Sequence, residues 1–187
     1  DKGIYLDSDI VIPGDISELY QMHLGENLLG AVIDPVVAAV PELTRHAELC
    51  VGVEKDKYFN SGVLLMNLKK LRETRIDQRF LELFNKYHFD CIAPDQDYLN
   101  AMCKGRVTYL PALWDAMPSD ATEPLENPKL VHFNLFAKPW HYDNIQYEQY
   151  FWPYAEASGF LEEILAIKGA YTEQDRQSDN EHLDLLI

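Results

Sequence analysis

The sequence predicts an α/β fold, because short apolar strands alternate along the chain with helical patterns. Apolar stretches of strand length lie at residues 3–6, 30–33, 62–67, 107–110 and 129–133. Apolar residues at helical spacing between the third and fourth strands indicate an amphipathic helix: Ile76, Phe80, Leu83, Phe84 and Tyr87. Since 47% of the 187 residues are hydrophobic, we expect one folded domain with a substantial core.

Local signals justify the elements of the first half of the chain in turn. Residues 3–6 combine apolar and β-prone side chains, which is typical of a short buried strand. A Pro-Gly-Asp turn then precedes a predicted helical turn at 16–20, for which Asp15 or Ser17 can serve as the N-cap. Residues 36–57 fit either a helical or a looping crossover. The run at 62–67 is apolar up to its final asparagine, so we expect a strand buried on both faces.

The second half of the chain is predicted to be mostly helical. Thr74 together with Asp77 indicates the start of the amphipathic helix, and Pro94 indicates the start of the next one. An aromatic helix is expected at 147–157. From Lys168 onward the composition is polar, so we expect one folded domain over residues 1–167 and a polar tail over 168–187. We expect that tail to pack weakly or to be disordered, apart from a docking turn at 183–187.

Charge and cysteine content exclude several classes of protein. The formal net charge of −15 argues against nucleic-acid binding and against a polybasic membrane anchor within this segment. No apolar run approaches the length of a membrane span. The three cysteines, Cys50, Cys91 and Cys103, are odd in number and lack metal-ligand spacing, so we expect reduced thiols and a cytoplasmic location.

Two carboxylates follow the first strand directly. Asp7 and Asp9 point to the same side if the backbone stays extended, because side chains alternate with a period of two. Carboxylates so placed repel each other unless a cation lies between them, and a divalent oxygen-binding metal such as Mn²⁺ or Mg²⁺ meets that need. An Asp-rich turn without a metal is the alternative. An anionic ligand would need a local positive charge, such as a metal, a lysine or a helix N-terminus.

The strand that carries this pair is the first element of the chain, and no initiator methionine or signal peptide precedes it. A buried strand needs neighbours on both sides in a sheet. We therefore expect a fragment that lacks an N-terminal part.

Five sequence blocks occur in an order that resembles glycosyltransferase family 8, which includes bacterial lipopolysaccharide galactosyl- and glucosyltransferases and glycogenin. They are YLDSD at 5–9, GAVID at 30–34, YFNSGVLLMNL at 58–68, DQD at 95–97, and His132 followed by Lys138-Pro139-Trp140. The resemblance covers residues 1 to about 155. It implies a GT-A fold with a mixed sheet flanked by helices, a DxD motif, and retaining transfer of a hexose from a UDP-sugar to a saccharide acceptor with manganese. The part that binds uracil and ribose would precede Asp1.

The resemblance implies a metal site and a phosphate site. Asp7, Asp9 and His132 would ligate Mn²⁺, or Mg²⁺, and Asp7, Ser8 and Asp9 would also contact the donor. Lys138 would face the donor phosphates and assist the leaving group. The alternatives are a core histidine at His132 and a solvated lysine at 138.

Further residues correspond to positions that bind the sugar. Asn60 and Asp95 resemble hydrogen-bonding partners of the donor hexose, and Asp34 resembles a residue at the sugar and acceptor side. Gln96 resembles the residue beneath the anomeric carbon. Because an amide is a poor nucleophile, front-face attack within an ion pair is favoured over a covalent intermediate. The alternative for Asp95, Gln96 and Asp97 is a helix start decorated with caps.

One position departs from the pattern of the family. Many members have a glycine three residues after the motif histidine, where the backbone approaches the phosphates, whereas this chain has Leu135. Either the loop follows another path or phosphate binding is weaker. Asn134 is a candidate for a replacement hydrogen bond.

Two other functions remain open on the residues alone. Asp7 and Asp9 after a strand also resemble the first motif of haloacid-dehalogenase-type phosphatases, with Asp7 as nucleophile and Asp9 as acid/base. That alternative requires a second acidic pair, for which Asp95 and Asp97 are candidates, and it leaves the 59–68 block unexplained. A non-catalytic module that binds a sugar nucleotide is the third possibility. Peripheral membrane contact would lie outside this segment.

Overall fold

A computed structural model describes residues 1–87, 91–120 and 122–186. Within them the strands are β1 (Lys2–Leu6), β2 (Ile10–Val11), β3 (Leu29–Ala31), β4 (Val63–Asn67), β5 (Val107–Tyr109) and β6 (Val131–His132). The helices are α1 (Ile16–Gln21), α2 (Pro35–Ala39), α3 (Pro41–His46), α4 (Leu68–Glu73), α5 (Ile76–Tyr87), α6 (Pro94–Cys103), α7 (Glu148–Ser158), α8 (Leu161–Ala170) and α9 (Glu173–Leu186). A π-helical turn at Ala47–Val51 and a 3₁₀ turn at Ala112–Trp114 complete the set. None of these described helices is long and apolar enough to cross a membrane.

The main sheet is mixed, as the sequence predicts, and its strand order is β1-β4-β3-β5. β4 is antiparallel to both β1 and β3, and β3 is parallel to β5. A small second sheet pairs β2 with β6, and it sets Ile10 opposite His132. That pairing brings the stretch after β1 to a strand more than a hundred residues later.

The core lies on both faces of β4. Leu65 packs with Val32, Leu110 and Trp114 on one face, whereas Leu64 packs with a second cluster on the other. Val63, Leu64 and Leu65 are each less than 5% exposed, which confirms a strand buried on both faces. Burying an aliphatic side chain of this size stabilises a fold by roughly 1.5–3 kcal/mol.

The helix starts follow local chemistry, with one exception. The Asp15 carboxylate accepts a hydrogen bond from the Ser17 amide at 2.9 Å and caps α1, as predicted. The crossover at 36–57 is mainly helical up to Val51 and continues as turns after it. The predicted start at Thr74 is wrong, because its hydroxyl donates to the carbonyl of Lys70 at 2.8 Å and closes α4. α5 begins at Ile76, after Arg75 turns the chain with a φ of 50°.

The expectation of disorder after Lys168 is wrong for the described residues, because they are helical, whereas weak packing agrees with the absence of any buried residue among the described residues 168–183. α9 continues to Leu186, so residues 183–186 of the predicted docking turn are helical, and Ile187 lies outside the described residues. The Asp179 carboxylate accepts hydrogen bonds from Tyr142 and Tyr171, and the His182 ring stacks on Phe136. Composition alone missed these contacts because the aromatic partners of the polar residues are distant in sequence.

Candidate active site

Strand pairing brings Asp7, Asp9 and His132 together. Asp7 follows the last residue of β1, and its amide donates to the carbonyl of Gly62 at 2.9 Å. Asp9 precedes β2, whose partner strand β6 carries His132. One ligand atom from each of the three side chains lies within 4.8 Å of the other two. The structure therefore places the three predicted metal ligands in one cluster.

Each carboxylate of the cluster has one oxygen engaged and one oriented toward His132. Tyr5 donates its hydroxyl hydrogen to Asp7 Oδ1 at 2.7 Å, and the Lys138 ammonium contacts Asp9 Oδ2. The other oxygens, Asp7 Oδ2 and Asp9 Oδ1, lie 3.7 and 3.3 Å from His132 Nε2. The three candidate ligand atoms thus converge on one point.

His132 is held by a residue that the sequence analysis did not identify. Its Nδ1 lies 3.1 Å from Asp115 Oδ1, and Asp115 is 2% exposed. A carboxylate behind an imidazole orients the ring and leaves its other nitrogen for a metal. No sequence motif marks Asp115, which follows the 3₁₀ turn. Its Oδ2 has no hydrogen-bond partner within the described parts of the chain.

The cluster surrounds a space that a side chain would fill. A Cβ added to Gly62 would lie 2.2 Å from His132 Cε1 and 2.9 Å from Asp7 Oδ2. Only glycine permits such a close approach. Oxygen and imidazole ligands around a space kept clear by glycine fit a divalent metal of the Mn²⁺ type. The sequence block at 58–68 contains Gly62, but its role is visible only in three dimensions.

Mutual interactions set the charges of the cluster. Burial opposes ionisation of Asp9, but hydrogen bonds from His132 and Lys138 outweigh it and hold the pKa of Asp9 well below its usual range. Burial lowers the pKa of His132, yet its bonds to Asp115 and Asp9 outweigh burial and raise that pKa to about 9. Burial raises the pKa of Asp115. The carboxylates therefore favour a positive charge between them.

A second polar cluster joins Asp34, Asn60 and Gln96. Asp34 Oδ2 accepts hydrogen bonds from Asn60 Nδ2 and Gln96 Nε2, both at 3.2 Å. Asp34 Oδ1 accepts from the amides of Val36 and Val37 and caps α2. All three side chains are less than 9% exposed. The structure thus unites three sugar-binding candidates that lie up to 62 residues apart.

Ser61 links this cluster to the start of α6. Its amide donates to Gln96 Oε1 at 2.9 Å, and its hydroxyl donates to Asp95 Oδ2 at 2.9 Å. The Ser61 amide therefore occupies one lone pair of the Gln96 side-chain oxygen, and the second lone pair remains for a ligand. Asp95 itself is exposed.

A cavity of about 250 Å³ connects the two clusters. Its polar lining includes Asp7, Asp9, Asp34, Asn60, Ser61, Gln96 and His132, and its apolar lining includes Val36, Val37, Val40, Leu43, Ile92 and Leu183. Of the predicted site residues, Ser8, Asp95 and Lys138 lie outside this lining. Ser8 is exposed on the turn between the two metal-ligand candidates.

Asp97 is buried, and its carboxylate is hydrogen-bonded to neighbouring elements of the fold. It is 0% exposed and accepts hydrogen bonds from the Tyr58 hydroxyl at 2.5 Å, His46 Nε2 at 3.0 Å and the Ile92 amide at 3.1 Å. These bonds satisfy the carboxylate inside the fold. His46 and Tyr58 line the cavity, and neither was identified from the sequence.

The loop after β6 keeps a glycine-like conformation without glycine. Leu135 lines the cavity and has a φ of 49°, in the left-handed region that glycine adopts freely. Asn134 also lines the cavity, and its amide contacts the Met117 sulfur at 3.1 Å. Trp140 packs between Phe133 and Phe151 and so holds the loop against the core.

The chain has the GT-A fold of glycosyltransferases, and two structural neighbours support this. The structure is similar to the galactosyltransferase LgtC in complex with donor and acceptor sugar analogs, with a TM-score of 0.69, 30% identity, and coverage of 95% of this chain and 65% of that one. It is also similar to GlyE of Streptococcus pneumoniae, with a TM-score of 0.63, 29% identity, and coverage of 83% and 40%.

The chain belongs to glycosyl transferase family 8, whose model matches residues 1–144. It is 31% identical to a lipopolysaccharide 1,2-glucosyltransferase of Escherichia coli K12 over 79% of this chain and 47% of that protein. It is 32% identical to a protein of Haemophilus influenzae whose name describes it as a glycosyltransferase, over 64% of this chain and 36% of that protein. The chain thus spans less than half the length of these relatives.

Proposed function

We propose that the complete protein transfers a hexose, glucose or galactose, from a UDP-sugar to a saccharide hydroxyl, with retention of configuration and with a divalent metal. The observation that carries this proposal is the convergence of Asp7 Oδ2, Asp9 Oδ1 and His132 Nε2 at a cavity that also contains Asn60 and Gln96. Family membership supports glycosyl transfer as the reaction.

In this proposal the three convergent atoms hold Mn²⁺ or Mg²⁺, and Tyr5 and Asp115 keep two of the ligands in orientation. When bound, the metal supplies Lewis-acid stabilisation of the negative charge that develops on the departing diphosphate. Lys138 adds a positive charge beside Asp9, with which its ammonium forms an ion pair. Ser8 contacts the donor from the exposed turn.

The polar cluster around Asp34 would hold the hexose. Asn60, Asp34 and Asp95 offer amide and carboxylate groups to the sugar hydroxyls. The Gln96 carbonyl lies beneath the anomeric carbon and stabilises its positive charge, since Ser61 already fixes the amide in place. A glutamine amide is too weak a nucleophile for a lasting covalent intermediate, so the acceptor attacks on the face that the diphosphate leaves.

We further propose residues 1–167 as the catalytic domain, with Leu183 of the C-terminal segment adding to the cavity wall. The E. coli relative suggests an acceptor saccharide of lipopolysaccharide. We also propose a cytoplasmic location, which the odd number of cysteines supports. The net charge of −15 supports the absence of nucleic acid among the partners.

Calorimetric titration of the complete protein with UDP, with and without Mn²⁺, tests the metal site. We expect tight binding with Mn²⁺ only, and Asp9→Asn should abolish the difference while the fold is retained. Asp56→Asn, at an exposed position, is the matched control and should bind like the wild type. Equal UDP affinity in both conditions would contradict the metal assignment.

Turnover distinguishes the transferase from its alternatives. The complete protein should release UDP from a UDP-hexose slowly with water and faster with a saccharide acceptor, and it should not hydrolyse an aryl phosphate. Aryl phosphatase activity that disappears in Asp7→Asn would support the phosphatase alternative. Donor binding without any turnover would instead indicate a non-catalytic module.

A further inference from the structure

The loop that carries Lys138 is held from outside by the C-terminal helices. We name residues 136–143 the Lys138 loop and residues 161–186, which form α8 and α9, the C-terminal hairpin. The Lys138 loop consists of turns without helix or strand. Inside it, the Lys138 amide donates to the Phe136 carbonyl, and the amides of His141 and Tyr142 donate to the Lys138 carbonyl. Contacts with the C-terminal helices add to these bonds and hold the loop in place against the rest of the fold.

Lys168 of α8 makes the densest set of these contacts. Its ammonium donates to the carbonyls of Pro139 at 2.9 Å and Tyr142 at 2.8 Å, and it pairs with Asp143 at 2.9 Å. An ammonium has three hydrogens to donate, so these three acceptors, all in the Lys138 loop, account for all of them. The Lys168 side chain is only 18% exposed, and it lies over the Trp152 ring.

α9 contacts the same loop at three more points. The Tyr142 hydroxyl donates to Asp179 Oδ2 at 2.7 Å, and Arg176 donates to the carbonyl of His141 at 3.3 Å. The rings of Phe136 and His182 stack with their planes 13° apart. The hairpin therefore contacts the loop at both ends of the stretch that contains Lys138.

The held loop reaches directly into the site. The Lys138 ammonium contacts Asp9 Oδ2 and the Phe133 carbonyl, and the first backbone acceptor of Lys168 is Pro139, the next residue along the chain. A shift of the loop backbone at Pro139 must therefore move Lys138 relative to Asp9. Functional groups on loops need such a supporting shell to stay in productive geometry.

We propose that the C-terminal hairpin, through Lys168, positions Lys138 against the donor diphosphate, so that Lys168 is a positioning residue of the transferase. This inference rests on the proposed function. Lys168 acts only through the loop backbone, because its bonds go to two carbonyls and to one carboxylate that lies outside the cavity lining.

A double-mutant cycle on the complete protein tests this role. We would measure kcat and KM for UDP-glucose and UDP-galactose in the wild type, Lys168→Met, Lys138→Met and the double variant. Displacing a catalytic group by about 1 Å can cost on the order of 100-fold in rate, so Lys168→Met should lower kcat/KM by roughly 10- to 100-fold. In the Lys138→Met background, Lys168→Met should have no further effect, because sites that act through each other are not additive.

Lys69→Met, the same change at a 69% exposed lysine of α4, is the matched control and should leave kcat/KM unchanged. Tyr142→Phe removes one bond to the hairpin, and it should show a smaller loss with the same non-additivity if Lys168→Met does not fold. Equal losses in both backgrounds, or no loss in either, would overturn the inference alone. A wild-type protein that turns over no UDP-hexose would overturn the proposed function as well.

Discussion

Leu135 has a backbone conformation that most residues with a side chain avoid. Its φ of 49° lies in the left-handed region, and its side chain is 50% exposed beside the cavity. The left-handed conformation costs an L-residue about 1–2 kcal/mol. The surrounding loop imposes this strain, since Phe133 and Lys138 are both anchored on either side of it.

Leu135→Gly should relieve this strain. We expect the free energy of unfolding of Leu135→Gly to be about 1 kcal/mol larger than that of Leu135→Ala. Both variants lose the leucine side chain, but only glycine adopts the left-handed conformation without strain. Urea denaturation of the two variants measures the difference. Leu49, exposed in the π-helical turn, is the control, since glycine there should be less stable than alanine. An alanine variant at 135 as stable as the glycine variant would contradict the prediction.

At the scale of elements, one side chain of α6 joins the helix to the segment before β4. Asn100 accepts from the Phe59 amide at 2.9 Å, and it donates to the carbonyls of Phe59 at 2.8 Å and Gln96 at 3.0 Å. Asn100 is 1% exposed. These bonds fix the position of α6 along the segment before β4. They therefore also fix the position of Gln96 beside Ser61.

Asn100→Ala should therefore weaken both the fold and the site. It leaves buried backbone groups of Phe59 without partners, and we expect a loss of roughly 2–4 kcal/mol in free energy of unfolding. Chemical denaturation checks this, with Asn85→Ala on the exposed surface of α5 as a control expected to change little. A loss at Asn100 no larger than at Asn85 would show that other contacts hold the helix.

At the scale of the whole molecule, the metal cluster joins distant parts of an acidic chain. Asp7 and Asp9 precede His132 by more than a hundred residues, and the formal net charge is −15. A cation that binds all three side chains binds only the folded chain, so it must stabilise folding.

Mn²⁺ should accordingly raise the unfolding temperature of the protein without any nucleotide. At a free concentration of 100 times Kd the gain is about 2.7 kcal/mol, on the order of 5–10 °C for a chain of this size. Differential scanning fluorimetry with Mn²⁺, and after its removal by EDTA, measures the shift, and His132→Ala should abolish it. An equal shift in that variant would place the metal elsewhere.

The amino-acid sequence by itself determined five of the six described strands, the starts of α1, α6 and α7, and the side chains expected to carry the chemistry. The carboxylates of Asp7 and Asp9 follow from strand alternation, and the run before Asn67 follows from continuous apolar character, because both are short-range patterns. The blocks that resemble family 8 then contain most of the polar residues that line the cavity, but not its apolar residues.

Only the tertiary structure decided which side chains support the site residues and keep them in position. Asp115 behind His132, Gly62 between the ligands and Lys168 beneath the Lys138 loop leave no local pattern, because their partners come from other elements. The same reason explains α9, whose polar residues lack a recognisable apolar stripe but meet aromatic partners in space. Local periodicity encodes an element, whereas the position of one element against another depends on packing that no window of neighbouring residues contains.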